Sequence, residues 1–402
     1  GDIVVNGGIN ISTAAVTKDG AGTLTINSAN TYKGGTTVSA GTLTLGNRIA
    51  IGSGTLTDNS TVNVASGVTE VVIQGLAGSG TLNLTNLATP GVAVAATVGG
   101  NDSNTTFSGV ITGSGSLTKE GSGTLILSGS SANDFTGAVT ISSGVIRASK
   151  ASALGTVAGG VVVQSGAALE LASVSIGAEP ISLAGSGVND GGAIRAVSGD
   201  NSYAGAITLT SNSRINSDTG TLTLDVASGN AIAGAYNITF GGAGNTTIAD
   251  PIATSTGTLT KDGAGTVTLS ATNTYSGSTT ILAGVLAVTT DANLGTAPGS
   301  ATTDSLVING GGLLANGSFT LSPYRGVTFG SNGATINVAG SYELTYAGIV
   351  AGSGDWTKVG TGRVIFQGAN TFSGLTTITA GVVQAQNSAA LGTTASGVII
   401  RP

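Results

Sequence analysis

The fold is decided by the stretch KDGAGTVTLSATNTYSGSTTILAGVLAVTTDANLG (Lys261–Gly295), which recurs with the same spacing along this 402-residue chain. Further copies occupy Lys18–Gly52, Lys119–Gly155 and Lys358–Gly392. Repeats of this length are typical of solenoids, in which each unit buries its apolar face only against its neighbours. The repetition therefore indicates the architecture before any single element is considered.

Each copy carries the same glycine, asparagine and aromatic positions. They are Gly20, Asn30, Tyr32, Gly34 and Gly41; Gly121, Asn133, Phe135, Gly137 and Gly144; Gly263, Asn273, Tyr275, Gly277 and Gly284; and Gly360, Asn370, Phe372, Gly374 and Gly381. Asparagine suits tight turns, and stacked Asn side chains can form ladders along a β axis. We predict structural roles for these residues in turns, corners and core. The alternatives are sugar binding by exposed Asn rows and a ligand platform built from the aromatic residues.

Between the glycines, apolar residues alternate with threonine. Val267 and Leu269 alternate with Thr266 and Thr268, and the other copies have apolar residues at the same places. This period of two predicts strands with one buried face. No Asn-Gly or Asp-Gly pair joins these strands within a copy, so tight hairpins are not indicated. The pattern predicts an all-β chain that winds on as a parallel solenoid.

These motifs resemble the passenger-associated transport repeat of bacterial autotransporters. The resemblance extends to the segments that lead into the copies, such as Asn104–Leu125 and Glu343–Val364. It implies a right-handed parallel β-helix, secretion by the type V route, and an extracellular or outer-cell-surface location. It also implies an adhesin-like passenger, without indicating a particular receptor.

The predicted organisation is a single β-solenoid over residues 1–402, with repeat units at 18–52, 119–155, 261–295 and 358–392. At about 21 residues per coil, the chain makes roughly 19 coils of three short strands. Ile3–Val5 and Val398–Ile400 match the same strand of the coil. The ends therefore predict either a fragment of a longer rod or a subunit whose ends meet head to tail in a filament.

Composition favours an ordered chain and removes several classes of function. Although 68 residues are glycine, 40% are apolar and the mean hydropathy is +0.36, which argues against disorder. Only 8% are charged, with a net charge of −6 and no basic run, so neither nucleic acid nor an anionic membrane is a predicted partner. No apolar stretch is long enough for a membrane-spanning helix. Histidine and cysteine are absent, which excludes Ser-His-Asp and thiolate-metal chemistry, and no cofactor is predicted.

The acidic residues are the remaining candidates for catalysis. Glycosidases need two carboxylates close together, and acids one coil apart, such as Asp225 with Asp250 or Asp200 with Asp218, could meet that need. Their neighbours are turn-forming residues, so we interpret them as turn positions rather than as an active site. Asp190, Asp200 and Asp218 could also hold calcium, and the turn interpretation is preferred there too.

The repeated Lys18, Lys119, Lys261 and Lys358 could form a periodic binding feature. Their intervals of 101, 142 and 97 residues are uneven, so they would not align on one face. We therefore predict that they are solvated turn residues.

Together these observations predict a non-enzymatic structural or adhesive rod. Its partners would be other copies of itself, head to tail or side by side, a host or neighbouring cell surface, or glycans. One alternative is a subunit of a filament, matrix or surface layer. A less favoured alternative is a polysaccharide-cleaving β-helix enzyme.

Overall fold

The computed structural model describes residues 1–9, 12–395 and 397–401. The chain is all-β, with 2% helix, and its parallel strands stack as a β-solenoid of about 19 turns, which confirms the predicted fold class. Two compact units are distinguished, an N-terminal unit (Gly1–Gly205) and a C-terminal unit (Ala206–Pro402). That residues 1–402 form one rod stays a prediction, as does the right-handed winding.

The N-terminal unit is built from short strands, most of three to five residues, and one 3-10 turn at Val188–Asp190. The strands are Ile3–Val5, Val16–Lys18, Thr23–Ile26, Thr36–Val38, Thr42–Leu45, Thr55–Asp58, Thr61–Val64, Glu70–Ile73, Gly75–Gly78, Thr81–Asn86, Ala95–Val98, Thr105–Phe107, Val110–Thr112, Ser116–Lys119, Thr124–Leu127, Val139–Ile141, Val145–Ala148, Val161–Val163, Ala168–Ala172, Ser175–Ile176, Ile181–Gly185, Ile194–Ser198 and Asn201–Tyr203.

The C-terminal unit has the same construction, with a 3-10 turn at Asp291–Leu294. Its strands are Ile207–Ser217, Thr221–Leu224, Ile232–Ala233, Ile238–Gly241, Asn245–Ile248, Ile252–Ala253, Leu259–Lys261, Thr266–Leu269, Thr279–Ile281, Val285–Val288, Leu306–Ile308, Gly312–Ala315, Phe319–Leu321, Val327–Phe329, Ala334–Val338, Glu343–Tyr346, Val350–Ala351, Trp356–Val359, Arg363–Phe366, Thr376–Ile378, Val382–Ala385 and Val398–Ile400.

Most strands pair in parallel with the equivalent strand of a neighbouring coil, and many are paired on both sides. Thr266–Leu269, for example, lies between Asn245–Ile248 and Val285–Val288. Within this ladder Val267 is in register with Leu286, and both are buried. Because side chains alternate between the two faces of a strand, register places every second residue inside and the intervening threonines outside. The core is therefore a set of stacked apolar rows.

An aromatic cluster fills the core around the fourth repeat. Trp356 packs against Phe329, Phe366 and Phe372, with ring centroids 5.4 to 6.2 Å apart. Tyr346 contacts Phe366 at a centroid distance of 5.2 Å. Such tilted and edge-on contacts are the arrangements that aromatic pairs prefer, and they add to the stabilisation from burial. The aromatic residue of this repeat thus belongs to the core.

Candidate functional site

The repeated lysines are buried, so the prediction that they are solvated turn residues is wrong. The exposed fractions of Lys18, Lys119, Lys261 and Lys358 are 7%, 1%, 1% and 0%. Each occupies an inward position at the end of its strand or, for Lys358, one residue before it, in register with apolar residues of neighbouring coils. Lys119 lies between Val98 and Ile141, and Lys261 is in register with Ile281.

The ammonium groups are held by backbone carbonyls. Lys358 Nζ donates to the carbonyl oxygens of Val359, Gly360 and Ala380, at 2.6, 2.8 and 3.4 Å. Each of the other lysines likewise bonds its own following turn and a turn in the next coil. Burial lowers the pKa of Lys119, Lys261 and Lys358 to about 8. The lysine therefore links two successive turns by hydrogen bonds, and its ammonium group is not exposed to a binding partner.

The asparagines of the repeat join three successive coils. Asn370 Oδ1 accepts a hydrogen bond from the Val350 N–H at 2.8 Å, and its Nδ2 donates to the Ala390 carbonyl at 2.6 Å. The same arrangement occurs at Asn30, Asn133 and Asn273. All four side chains are buried. Their amides bond the backbone rather than one another, and none is exposed for a sugar.

The aromatic residues two positions later are also buried. Tyr32, Phe135, Tyr275 and Phe372 are each at most 1% exposed, so they do not form a ligand platform. The Tyr275 hydroxyl lies 2.8 Å from Thr279 Oγ1, and the first repeat has the equivalent pair, Tyr32 and Thr36. In the second repeat the aromatic is Phe135, and the position four residues later is Val139. The polar pair is thus replaced there by an apolar one.

This difference between repeats predicts the effect of removing one hydroxyl. Tyr275→Phe leaves the buried Thr279 hydroxyl without its tyrosine partner and should lower the free energy of unfolding by about 1–2 kcal/mol. Adding Thr279→Val recreates the Phe–Val pair of the second repeat and should recover most of the loss. Urea unfolding of the two variants measures both effects. A double variant as unstable as the single one would contradict the pairing.

Most glycines of the repeat lie where coils approach closely, whereas a Cβ at Gly20 would meet nothing within 4 Å. Gly284 has φ of +63°, and a Cβ there would lie 2.4 Å from the carbonyl oxygens of Gly263 and Gly265. A Cβ at Gly277 would lie 2.3 Å from the Gly257 oxygen of the preceding coil. Any side chain would therefore separate the backbones. These glycines therefore allow the turns of successive coils to pack directly against each other.

The acidic residues considered as catalytic candidates lie outside the regular strands. The Asp250 carboxylate accepts a hydrogen bond from the Val226 N–H of the preceding coil at 2.7 Å, and Asp225 is exposed. Asp190 accepts a hydrogen bond from Ser186. Asp200 lies between the strands Ile194–Ser198 and Asn201–Tyr203, and Asp218 lies between Ile207–Ser217 and Thr221–Leu224. Within the described ranges, no group of three or more Asp, Glu, His or Cys side chains could hold a metal ion.

Two buried carboxyl groups were not singled out from the sequence. Asp58 is 0% and Glu179 3% exposed, and Asp58 Oδ2 and Glu179 Oε1 find no hydrogen-bond partner among the described residues. Burial raises the pKa of Asp58 to about 6 and that of Glu179 to about 7. The alternation Leu56-Thr57-Asp58 already indicates that Asp58 points inward.

Asp58 should make stability depend on pH. Burial raises its pKa from 3.8 to about 6, although the Ser60 N–H partly opposes the shift. Between these values the unfolded chain loses the proton first, so this group's contribution to stability falls as pH rises and is lost above the folded pKa. The shift corresponds to at most about 3 kcal/mol.

We therefore expect Asp58→Asn to stabilise the protein by about 2 kcal/mol at neutral or higher pH and to have little effect near pH 4. The asparagine Oδ1 can still accept from the Ser60 N–H, at 3.0 Å in the parent chain. Urea titrations at several pH values check this. The same gain at every pH would contradict a titrating Asp58.

Comparison with known proteins agrees with the fold. The passenger-associated-transport-repeat family matches residues 16–45, 117–148, 259–288 and 357–385. The relative "Adhesin BmaC autotransporter" of Brucella suis biovar 1 (strain 1330) is 33% identical over 451 aligned residues, covering 94% of this chain. The chain spans only 13% of that relative's length. No solved structure matches.

The β-solenoid and the four matched repeats define the class of protein. These features are those of bacterial autotransporter passengers, and they indicate a protein that is secreted and displayed at the cell surface. The chain carries passenger-associated transport repeats. In the part of the chain that the structure describes, no helix is long and apolar enough to cross a membrane.

Proposed function

We propose that this chain is a non-enzymatic, adhesive segment of a bacterial surface protein. The observation that carries the proposal is the similarity, across 94% of the chain, to a relative that is named an adhesin. The repeat chemistry supports it, because the lysines, asparagines and aromatics of the repeats hold the coils together. The residues that could contact another surface are therefore the outward-facing ones and those of the connecting segments.

The outward face is suited to neutral contacts. Thr23, Thr42 and Thr61 lie in register on successive coils, one strand spacing of about 4.8 Å apart. Hydroxyl groups both donate and accept hydrogen bonds, and a parallel ladder repeats them at a constant interval. Weak contacts to such a surface gain strength when many are made at once.

Adhesion can be measured with beads that carry the 402-residue chain. We expect several-fold more of these beads than of albumin-coated beads to be retained on epithelial monolayers and on layers of bacterial cells. Retention equal to albumin would overturn the adhesive function. Ordered fibres or sheets of the isolated chain without retention would favour a matrix or surface-layer subunit instead.

Catalysis can be tested in parallel. Reducing-end assays on a panel of plant, bacterial and host polysaccharides should show no turnover. Turnover that is lost in Asp225→Asn or Asp250→Asn would overturn the non-enzymatic part of the proposal, because it would assign those carboxylates a catalytic role.

A further inference from the structure

The third repeat is followed by a connection that is twice as long as those after the second and fourth repeats. Ten residues, TAPGSATTDS (296–305), separate Gly295 from the strand that begins at Leu306. At the same place the second repeat has five residues, TVAGG (156–160), and the fourth has TTASG (393–397). The strands that follow occupy equivalent registers, so the additional residues form a loop outside the coil.

This loop (residues 296–305) borders a surface cavity of about 550 Å³. A cavity elsewhere on the solenoid, beside Ile51, Gly52 and Ser53 of the first repeat, measures only about 220 Å³. Cavities that hold small ligands are usually about 300–1,000 Å³. The cavity beside the longer loop is therefore in the size range of a binding site.

Six of the residues that line this cavity carry hydroxyl groups. They come from Ser276, Ser278, Thr296, Thr302, Thr303 and Ser305. Some already donate their proton to the backbone: Ser276 Oγ to the Ser255 carbonyl at 3.1 Å, and Thr296 Oγ1 to the Thr274 carbonyl at 3.2 Å. Such oxygens retain lone pairs, so they suit a ligand that brings its own hydroxyl donors.

The charged groups of the lining are already paired. Arg325 is 2% exposed and donates to the Asp291 carboxylate at 2.8 Å and to the Leu294 and Gly295 carbonyls, both at 2.9 Å. Asp304 accepts hydrogen bonds from Thr303 and Thr328. No cation of the lining is therefore available to an anionic ligand, and a neutral ligand fits better.

Arg325 also fixes the start of the loop, because the carbonyls that it binds immediately precede residue 296. Farther along, the Thr302 N–H donates to the Tyr324 carbonyl at 3.1 Å. The loop is thus anchored at two points on the next coil. A site held in this way needs little ordering when a ligand binds, which favours affinity.

A second cavity of about 250 Å³ adjoins the first and shares Thr302 and Thr303 with it. Its lining includes Ile349, which is 49% exposed, and Ala351. Ala297 and Pro298 give the first cavity an apolar part as well. A pyranose ring combines hydroxyl edges with apolar C–H faces, so this mixture of surfaces suits a sugar chain.

From these observations we propose that the loop at 296–305 and the adjoining coil form a binding site for a neutral oligosaccharide. The proposal deepens the adhesive function above, on which it rests for its biological meaning, by assigning a place and a ligand class. A shallow site of this kind binds a single oligosaccharide weakly and acts through several copies on a surface.

The test uses the whole chain on an array of neutral, sialylated and sulfated oligosaccharides. We expect binding to neutral glycans that is insensitive to salt, because no charge pair is formed. A variant in which TVAGG replaces residues 296–305 should lose at least tenfold in apparent affinity. Ser278→Ala combined with Thr303→Ala, which keeps the loop, should also weaken binding, whereas Thr394→Ala, an exposed hydroxyl in the equivalent fourth-repeat segment, should not.

Circular dichroism and thermal unfolding establish that each variant is folded. Failure to bind any neutral glycan, a preference for charged glycans, or undiminished binding by the loop-shortened and Ser278/Thr303 variants would overturn the site. Bead retention by the loop-shortened variant separates the two proposals. If the loop-shortened variant loses glycan binding but its beads are retained as before, the adhesive function stands and this site does not contribute to it.

Discussion

Replacing Leu269 by aspartate is expected to lower the free energy of unfolding by about 5 kcal/mol or more. Leu269 is 1% exposed and in register with the buried Ile248 of the preceding coil. Removing a buried leucine side chain alone costs about 2–5 kcal/mol. A carboxylate in its place must either remain charged without a partner or take up a proton, and both are unfavourable.

Thr268→Asp is the matched control, since the neighbouring residue points to the opposite face of the same strand. We expect it to change stability by less than about 1 kcal/mol. Urea unfolding followed by circular dichroism measures both variants. Hydrogen exchange of the Thr266–Leu269 strand and its two partner strands shows whether the loss is local. A loss below about 1 kcal/mol for Leu269→Asp would show that this row does not face the core.

Replacing Lys358 by methionine is expected to cost about 4 kcal/mol. Hydrogen bonds from a charged donor contribute about 1.5–3 kcal/mol each, and this ammonium makes three. Burial opposes them, since it lowers the pKa of Lys358 from 10.5 to about 8. We expect the loss of the hydrogen bonds to outweigh the relief of this burial cost. Methionine fills the space but leaves three carbonyls without their donor.

Lys33→Met provides the comparison, because Lys33 is exposed within the first repeat. Its effect should lie within about 0.5 kcal/mol. Thermal and urea unfolding at neutral pH measure both substitutions. If Lys358→Met were neutral or stabilising, the carbonyls must be satisfied by water, and the lysine would not hold successive turns together.

Much of the architecture could be predicted from the sequence. The alternation of Leu or Val with Thr and the recurrence of the unit predict parallel strands in a solenoid, because register and burial are local consequences of a period of two. The absence of histidine and cysteine also excluded Ser-His-Asp catalysis and thiolate-metal sites from the sequence alone. The stretch at Lys261–Gly295 therefore contains most of the information about the coil.

The burial of the repeat lysine could not be predicted from the sequence. The patterns Leu117-Thr118-Lys119 and Leu259-Thr260-Lys261 place the lysine on the buried face of its strand. Lysine is almost never fully buried unless paired. The acid that follows it in three copies (Asp19, Glu120 and Asp262) is replaced by Val359 in the fourth, so no acidic partner is common to all four. Its partners are instead carbonyls of its own turn and of a turn 22 to 24 residues away. Only the stacking of one coil on the next brings those carbonyls within reach.

The loop at 296–305 was likewise predictable only in part from the sequence. Its greater length is evident from the sequence, but the cavity beside it depends on Arg325 from the following coil and on Ser276 and Ser278 from the preceding one. For Asp58, the alternation of its strand already indicates that the side chain points inward. That its Oδ2 has no hydrogen-bond partner among the described residues is decided by the neighbouring coils. The sequence by itself thus determined the coil, through local alternation and turn chemistry. The tertiary structure decided which polar groups meet across coils, because those contacts join residues about 20 positions or more apart.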